Sequence, residues 1–220
     1  MTSWFITASG TGVGKTLVTT ALCWQLRQAG KKLIALKPVI SGYDPRDPQS
    51  DTALILQSCG LPMGAAEAIS PWRYAAPLSP NMAAAREGNP VDMAALVEFC
   101  RQKQEEYRMV EGVGGAMSAL TGHHTVLDWI EALSWPVILV GGSYLGALSH
   151  TLTALEALHA RGARVHALIV SESQDSPVTL TETVETLEKF VRPGLPVVQI
   201  PRLMPTDALW TKVPLLPIPD

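Results

Sequence analysis

Cysteine is scarce in this chain: Cys23, Cys59 and Cys100 among 220 residues, odd in number and widely spaced. Each has apolar neighbours, so the three read as small buried hydrophobes rather than disulfide partners or metal ligands. Positive charge is also in short supply. Lys and Arg number 17 against 20 Asp and Glu, the net charge is −3, and no basic block occurs. Phosphate-backbone binding needs clustered Lys and Arg, so the balance argues against nucleic acid as the main partner. No apolar run is long enough to span a bilayer, and the first apolar segment starts almost at once, with no basic leader or cleavage-site pattern. The expectation is a cytoplasmic protein with no membrane partner. His123, His124, His150, His159 and His166 lack Cys or Glu partners at zinc-ligand spacing. Repeats and low-complexity segments are missing too, and the length suits one domain, 1–220.

What is present is a recurrence of short apolar runs: "WFITA" (4–8), "LIALKPV" (33–39), "YRMVEG" (107–112), "VILVG" (137–141), "HALIVS" (166–171) and "PVVQI" (196–200). Most are separated by helix-compatible stretches, which predicts an α/β fold of three layers, a mostly parallel sheet with helices on both faces. Helical periodicity is clearest over 92–106, with Asp92 at its start, and over 145–160, ending before Gly162. The region 38–90 is rich in Pro, Gly, Ser and Ala, with short helical pieces near 51–58 and 80–87; so long an excursion in a compact domain points to function. The tail "KVPLLPIP" has too many prolines for a regular element and reads as an extended surface segment.

The first strand runs into "SGTGVGKT" (9–16) and then a helix-like stretch. Ser9 stands where the strict phosphate-loop pattern has glycine. What holds phosphate, however, is a ring of backbone N–H groups, the positive end of the following helix and one lysine. Gly10, Gly12 and Gly14 keep the backbone freedom, Lys15 is placed to reach the β/γ-phosphates, and the Thr16 hydroxyl to meet Mg2+. The reading is therefore of the P-loop NTPase type, with ATP and Mg2+ as cofactors.

In open α/β sheets, ligands lie beyond the carboxyl ends of the strands. Lys37 closes the second run and should project toward the phosphates, where a second ammonium brackets the transferring group. Glu111 ends the third long run, an expensive place for a carboxylate unless a cation meets it, and Mg2+ on Thr16 is such a cation. Asp51 reads either as a further Mg2+ ligand or, with Ser50, as the cap of a short helix. "EGVGG" offers backbone N–H groups to an anion or amide, and "GGSYLGALSH" puts small residues at a helix start.

Taken in order and spacing, "SGTGVGKT", "LKPVISG", "SDTALIL", "APLSPNMAA", "VEGVGG" and "LGALSHTLTALEAL" resemble the dethiobiotin synthetase family over nearly the whole chain. The resemblance implies a homodimeric ligase that uses Mg-ATP to close a cyclic urea from 7,8-diaminopelargonate and CO2, by way of a carbamate and its mixed anhydride with phosphate. It implies that Gly12, Val13, Gly14, Lys15, Thr16 and Leu17 hold the nucleotide, with Asp51, Ser171, Glu172, Pro201, Arg202 and Leu203. Thr16, Asp51 and Glu111 would hold Mg2+, and Lys37, Lys15 and Thr11 form the catalytic set. Ser41, Glu111, Gly112, Val113 and Gly114 would contact the diamine. The helix start Tyr144, Leu145, Gly146, Ala147, Leu148 and Ser149, supplied by the other subunit, would take the substrate carboxylate.

Three features depart from the family: Ser171-Glu172 replaces an Asn-acid pair that reads adenine, Gly12 stands where many members carry an acidic residue, and Ser149 replaces an asparagine. Two other P-loop readings are weaker. A partition or cell-division ATPase switch carries a signature lysine where this chain has Gly10, and a cobyrinate-type amidating synthetase usually appends a glutaminase domain for which there is no room.

Overall fold

The computed structural model describes residues 1–102, 105–204 and 208–218. In chain order the elements are β1 (Thr2–Ala8), α1 (Lys15–Gln28), β2 (Leu33–Leu36), β3 (Val39–Ser41), α2 (Asp51–Cys59), α3 (Ala66–Ile69), β4 (Trp72–Tyr74), α4 (Pro80–Glu87), α5 (Met93–Gln102), β5 (Tyr107–Glu111), α6 (Val126–Leu133), β6 (Val137–Gly141), α7 (Ala147–Ala160), β7 (Val165–Ser171), α8 (Leu180–Glu188) and β8 (Val197–Ile200). Six strands form one sheet in the order β2-β5-β1-β6-β7-β8, and every pairing in it is parallel. Phe5 and Ile6 of β1 and every residue of β6 are buried. Neighbouring residues of a strand point to opposite faces, so the sheet is covered on both, as continuous apolar runs require.

β1 lies between β5 and β6, the point where the strand order reverses, and its carboxyl end therefore opens a crevice. Phe5 anchors this centre against Trp129 of α6, ring centroids 4.8 Å apart and nearly perpendicular. Such a contact adds about 1 kcal/mol to the burial of the two rings.

The region after β2 departs from the single strand expected over 33–39. β2 stops at Leu36, and after Lys37-Pro38 the chain starts β3, which pairs with β4 in a separate two-stranded parallel sheet. Proline has no N–H for the ladder, so the strand breaks there. The two short helices expected in this excursion are α2 and α4. The helix expected over 92–106 is α5, capped by the Asp92 carboxylate, which accepts from Ala95 N–H at 3.0 Å; residues 103 and 104 lie outside the described residues.

The C-terminal tail is not an extended surface segment. After a 3-10 turn, Leu209–Lys212, Val213 and Leu216 are buried. The Gln25 side chain on α1 donates to Pro214 O at 2.8 Å and accepts from Leu216 N–H at 3.1 Å. A proline-rich strand edge cannot pair with a sheet, but one buried amide can satisfy its backbone. The cysteines are free thiols; Cys23 is buried on α1 and meets the half-buried Cys59 of α2, sulfurs 3.5 Å apart.

Candidate active site

The loop 9–14 turns from β1 into α1 with Gly14 at φ 104°. A Cβ there would be strained and would lie 3.0 Å from Ser171 Oγ, so glycine is required twice over. No side chain caps α1, and its first N–H groups are left for an anion at the positive end of the helix.

Beside this loop lies a cavity of about 790 Å³, lined by Thr11, Gly12, Gly14, Lys15 and Thr16 on one side and by Lys37, Ser41, Asp51, Val113 and Gly114 on the other. Lys15 Nζ crosses between the two sides, donating to Gly114 O at 2.6 Å. Burial and the neighbouring Lys37 charge hold the Lys15 ammonium well below its ordinary value, at about 8.

The Thr16 hydroxyl lies 2.7 Å from Asp51 Oδ1 and 3.0 Å from Glu111 Oε1. Ser50 accepts from Ala53 N–H and caps α2, so the Asp51 carboxylate is released from capping and faces the loop. Lys37 lines the cavity together with the phosphate loop and also meets two carboxylates. Its Nζ is buried and donates to Glu111 Oε1 at 2.6 Å and to Gly112 O at 2.9 Å, and it pairs with Asp51 Oδ2 at 2.9 Å. An ammonium out of water needs a close counter-charge, and the two carboxylates provide it. Burial alone would lower the Lys37 ammonium, but Asp51 and Glu111 outweigh it and raise it above its usual range. Burial likewise favours neutral Asp51, yet Lys37 and the Thr16 hydroxyl hold its carboxyl down at about 2.

Glu111 Oε2 and Ser41 Oγ are buried with no hydrogen-bond partner among the described residues. An open carboxylate oxygen beside Asp51 and a threonine hydroxyl makes an all-oxygen donor set that fits a hard divalent cation.

Gly112 and Glu111 do not line the cavity, and a Cβ on Gly112 would lie 2.9 Å from the Phe5 ring. Val13 is buried in the loop and lines neither of the two cavities described here. A second cavity, about 320 Å³, brings together Leu17, Ser171, Glu172, Pro201, Arg202 and Leu203. Residues 144–149 line neither cavity; Leu145 is 85% exposed and Leu148 is 36% exposed. The Tyr144 hydroxyl pairs there with His150 Nδ1 at 2.8 Å.

Sequence reasoning missed several wall residues. Pro77, Leu78, Ser79 and Pro80 line the first cavity from the motif "APLSPNMAA", to which no role had been attached. Leu209 and Trp210 line the second from the tail. A tryptophan in a stretch free of any periodic apolar pattern was the signal available.

A parallel sheet with a glycine loop, lysine and threonine at its switch point defines a P-loop nucleotide-dependent protein. The family model described as an AAA domain matches residues 2–208. Among solved structures, the MinC:MinD cell division complex of Aquifex aeolicus covers 91% of this chain and is covered over 81%, with a TM-score of 0.54 at 14% identity. A ParA family ATPase from Chlorobium tepidum TLS gives the same TM-score and identity, over 91% of this chain and 85% of that one. These likenesses concern the fold alone.

Sequence identity is far higher with ATP-dependent dethiobiotin synthetases. That of Methylobacterium nodulans is 47% identical over 195 residues, 84% of this chain and 86% of the relative. That of Acidiphilium cryptum is 44% identical over 194 residues, 85% and 87% of the two chains. The chain belongs to the ATP-dependent dethiobiotin synthetase family.

Proposed function

We propose that this protein closes the cyclic urea of dethiobiotin from 7,8-diaminopelargonate, CO2 and ATP, in biotin biosynthesis. The observation that carries the reading is the meeting of Lys15, Lys37, Asp51, Glu111 and Thr16 at the carboxyl edge of the sheet. One amine of the diamine adds to CO2 and loses a proton, giving a carbamate. A carbamate oxygen takes the γ-phosphoryl group from ATP and ADP leaves. The second amine attacks the carbamoyl carbon, the C–O bond to phosphate breaks, and the ring closes.

Each step moves negative charge between oxygens, so fixed positive groups and positioning are what the protein supplies. Lys37, rigid between two carboxylates, faces the carbamate; Lys15 and the α1 N-terminus face the β/γ-phosphates. Thr11 and the Val113–Gly114 wall border the reacting groups, and the open Ser41 hydroxyl contacts the diamine. Thr16, Asp51 and Glu111 would hold Mg2+, which offsets phosphate charge when bound.

The substrate carboxylate goes to the α7 start of a second copy, residues Tyr144 to Ser149, in a homodimer. The exposed Leu145 and Leu148 suit such an interface. The protein acts in the cytoplasm, with small molecules and its own second copy as partners.

The test is ADP release with Mg-ATP and bicarbonate, with and without 7,8-diaminopelargonate. Release that depends on the diamine supports the synthetase; release indifferent to it would sink the reading.

A further inference from the structure

The second cavity is lined by Trp210, from the C-terminal tail, and by Leu17 in the first turn of the phosphate-loop helix. Two of its polar groups are engaged within the protein. The Thr20 hydroxyl donates to Thr16 O at 2.7 Å, and the Glu172 carboxylate accepts from Arg202 N–H at 2.8 Å. Ser171 offers one hydroxyl, and no two-sided amide stands at the carboxyl end of β7 to read a base edge. Gln49 also lines the cavity and brings a carboxamide, so a planar group would be held by that amide together with apolar and aromatic surface.

Trp210 is the only aromatic side chain among the residues lining that cavity, and it is 8% exposed. Its location is not incidental to the tail's packing. The Gln25 amide binds the backbone at Pro214 and Leu216, which ties the tail to the helix whose first turn faces the phosphates. Base site and phosphate site are thus built on one element.

We propose that Trp210 is the base-contacting residue of the nucleotide site, with the C-terminal segment, held by Gln25, as its structural support. The proposal rests on the nucleotide reading of the phosphate loop and adds to it how the base is held. A base on an indole face gains affinity from stacking and excluded water, with little dependence on the base's edge pattern. Pyrophosphate, which has no base, would occupy the phosphate loop without meeting Trp210.

The test compares calorimetric affinities for Mg-ADP and for Mg-pyrophosphate in wild type, Trp210→Leu and Trp210→Phe. Leucine keeps the apolar bulk and removes the π-face, so ADP should bind roughly 10-fold more weakly while pyrophosphate is unchanged. Phenylalanine keeps a face, and ADP affinity should stay within about threefold of wild type. ADP affinity unaltered in Trp210→Leu, or an equal loss for both ligands, overturns the base contact and leaves the phosphate-loop reading standing. Wild type that binds neither ligand overturns both.

Discussion

The Lys37 ammonium donates to Glu111 Oε1 at 2.6 Å, with both side chains at most 2% exposed. The pair joins the end of β2 to the end of β5, and Asp51 completes it from α2. Breaking a buried pair by deleting one partner leaves an uncompensated charge, at a cost of about 3–5 kcal/mol. Lys37→Met should therefore lower unfolding free energy by that order and cut diamine-dependent turnover at least roughly 100-fold. The double variant Lys37→Met/Glu111→Gln removes both charges and should regain most of the stability but none of the turnover. Denaturant melts and ADP-release assays on the two variants separate the roles. Turnover returning with stability would mean that Lys37 acts only as a structural counter-charge.

The Thr16 hydroxyl, within 3.0 Å of both Asp51 and Glu111, gives a second expectation. If these three groups hold Mg2+, the cation strengthens ADP binding through them. Thr16→Ala should reduce that enhancement roughly 10-fold or more while the metal-free affinity changes little. Calorimetry of ADP with Mg2+ and with chelator reads both terms. An enhancement retained in the variant would move the metal elsewhere.

Leu145 is 85% exposed, ahead of a helix start that lines neither of the two cavities. In a dimer whose α7 start reaches the partner's diamine, a charge there separates the subunits. Leu145→Asp should elute at the mass of one chain and raise the diamine KM by about 10-fold or more, with Mg-ADP affinity unchanged. Light scattering after gel filtration and a KM titration are sufficient. A monomeric wild type with full turnover would remove the shared site.

The parallel sheet and the phosphate loop were legible because both follow from local pattern: continuous apolar runs, and glycine before Lys15 and Thr16. Lys37 and Glu111 were legible as strand-end charges, since apolar strands do not end on buried charge without a reason. Their mutual pairing was not, because it depends on β2 and β5 being adjacent, a long-range fact no local window holds. The break at Pro38 could have been read from the missing N–H, but pairing of β3 with β4 could not. The tail failed for another reason. Proline density argued correctly against a regular element, yet it says nothing of docking, which depends on the single buried amide of Gln25 some 188 residues away.

Lys15 carries the pH expectation. Its ammonium, ordinarily at 10.5, is lowered to about 8 by burial and by the Lys37 charge, against the smaller opposing pull of Glu111 and Asp51. Lys37 itself is raised and stays charged through this range. Below about pH 8 Lys15 is already cationic and polyphosphate binding takes up no proton at this residue. Above it the folded protein holds Lys15 neutral, so binding a polyanion must recharge it, and Mg-ADP affinity should fall by up to about tenfold per pH unit toward 10.5. Folding carries the matching sign: between the two values the unfolded chain binds more protons at this residue, so its unfavourable contribution below pH 8 is relieved as pH rises. Calorimetry between pH 7 and 9.5, in buffers of different ionisation enthalpy, measures both the affinity and the proton taken up. Lys15→Gln should bind Mg-ADP more weakly with no pH-dependent proton uptake, and a wild-type affinity that stays level up to pH 9.5 would show that Lys15 remains charged in its buried site.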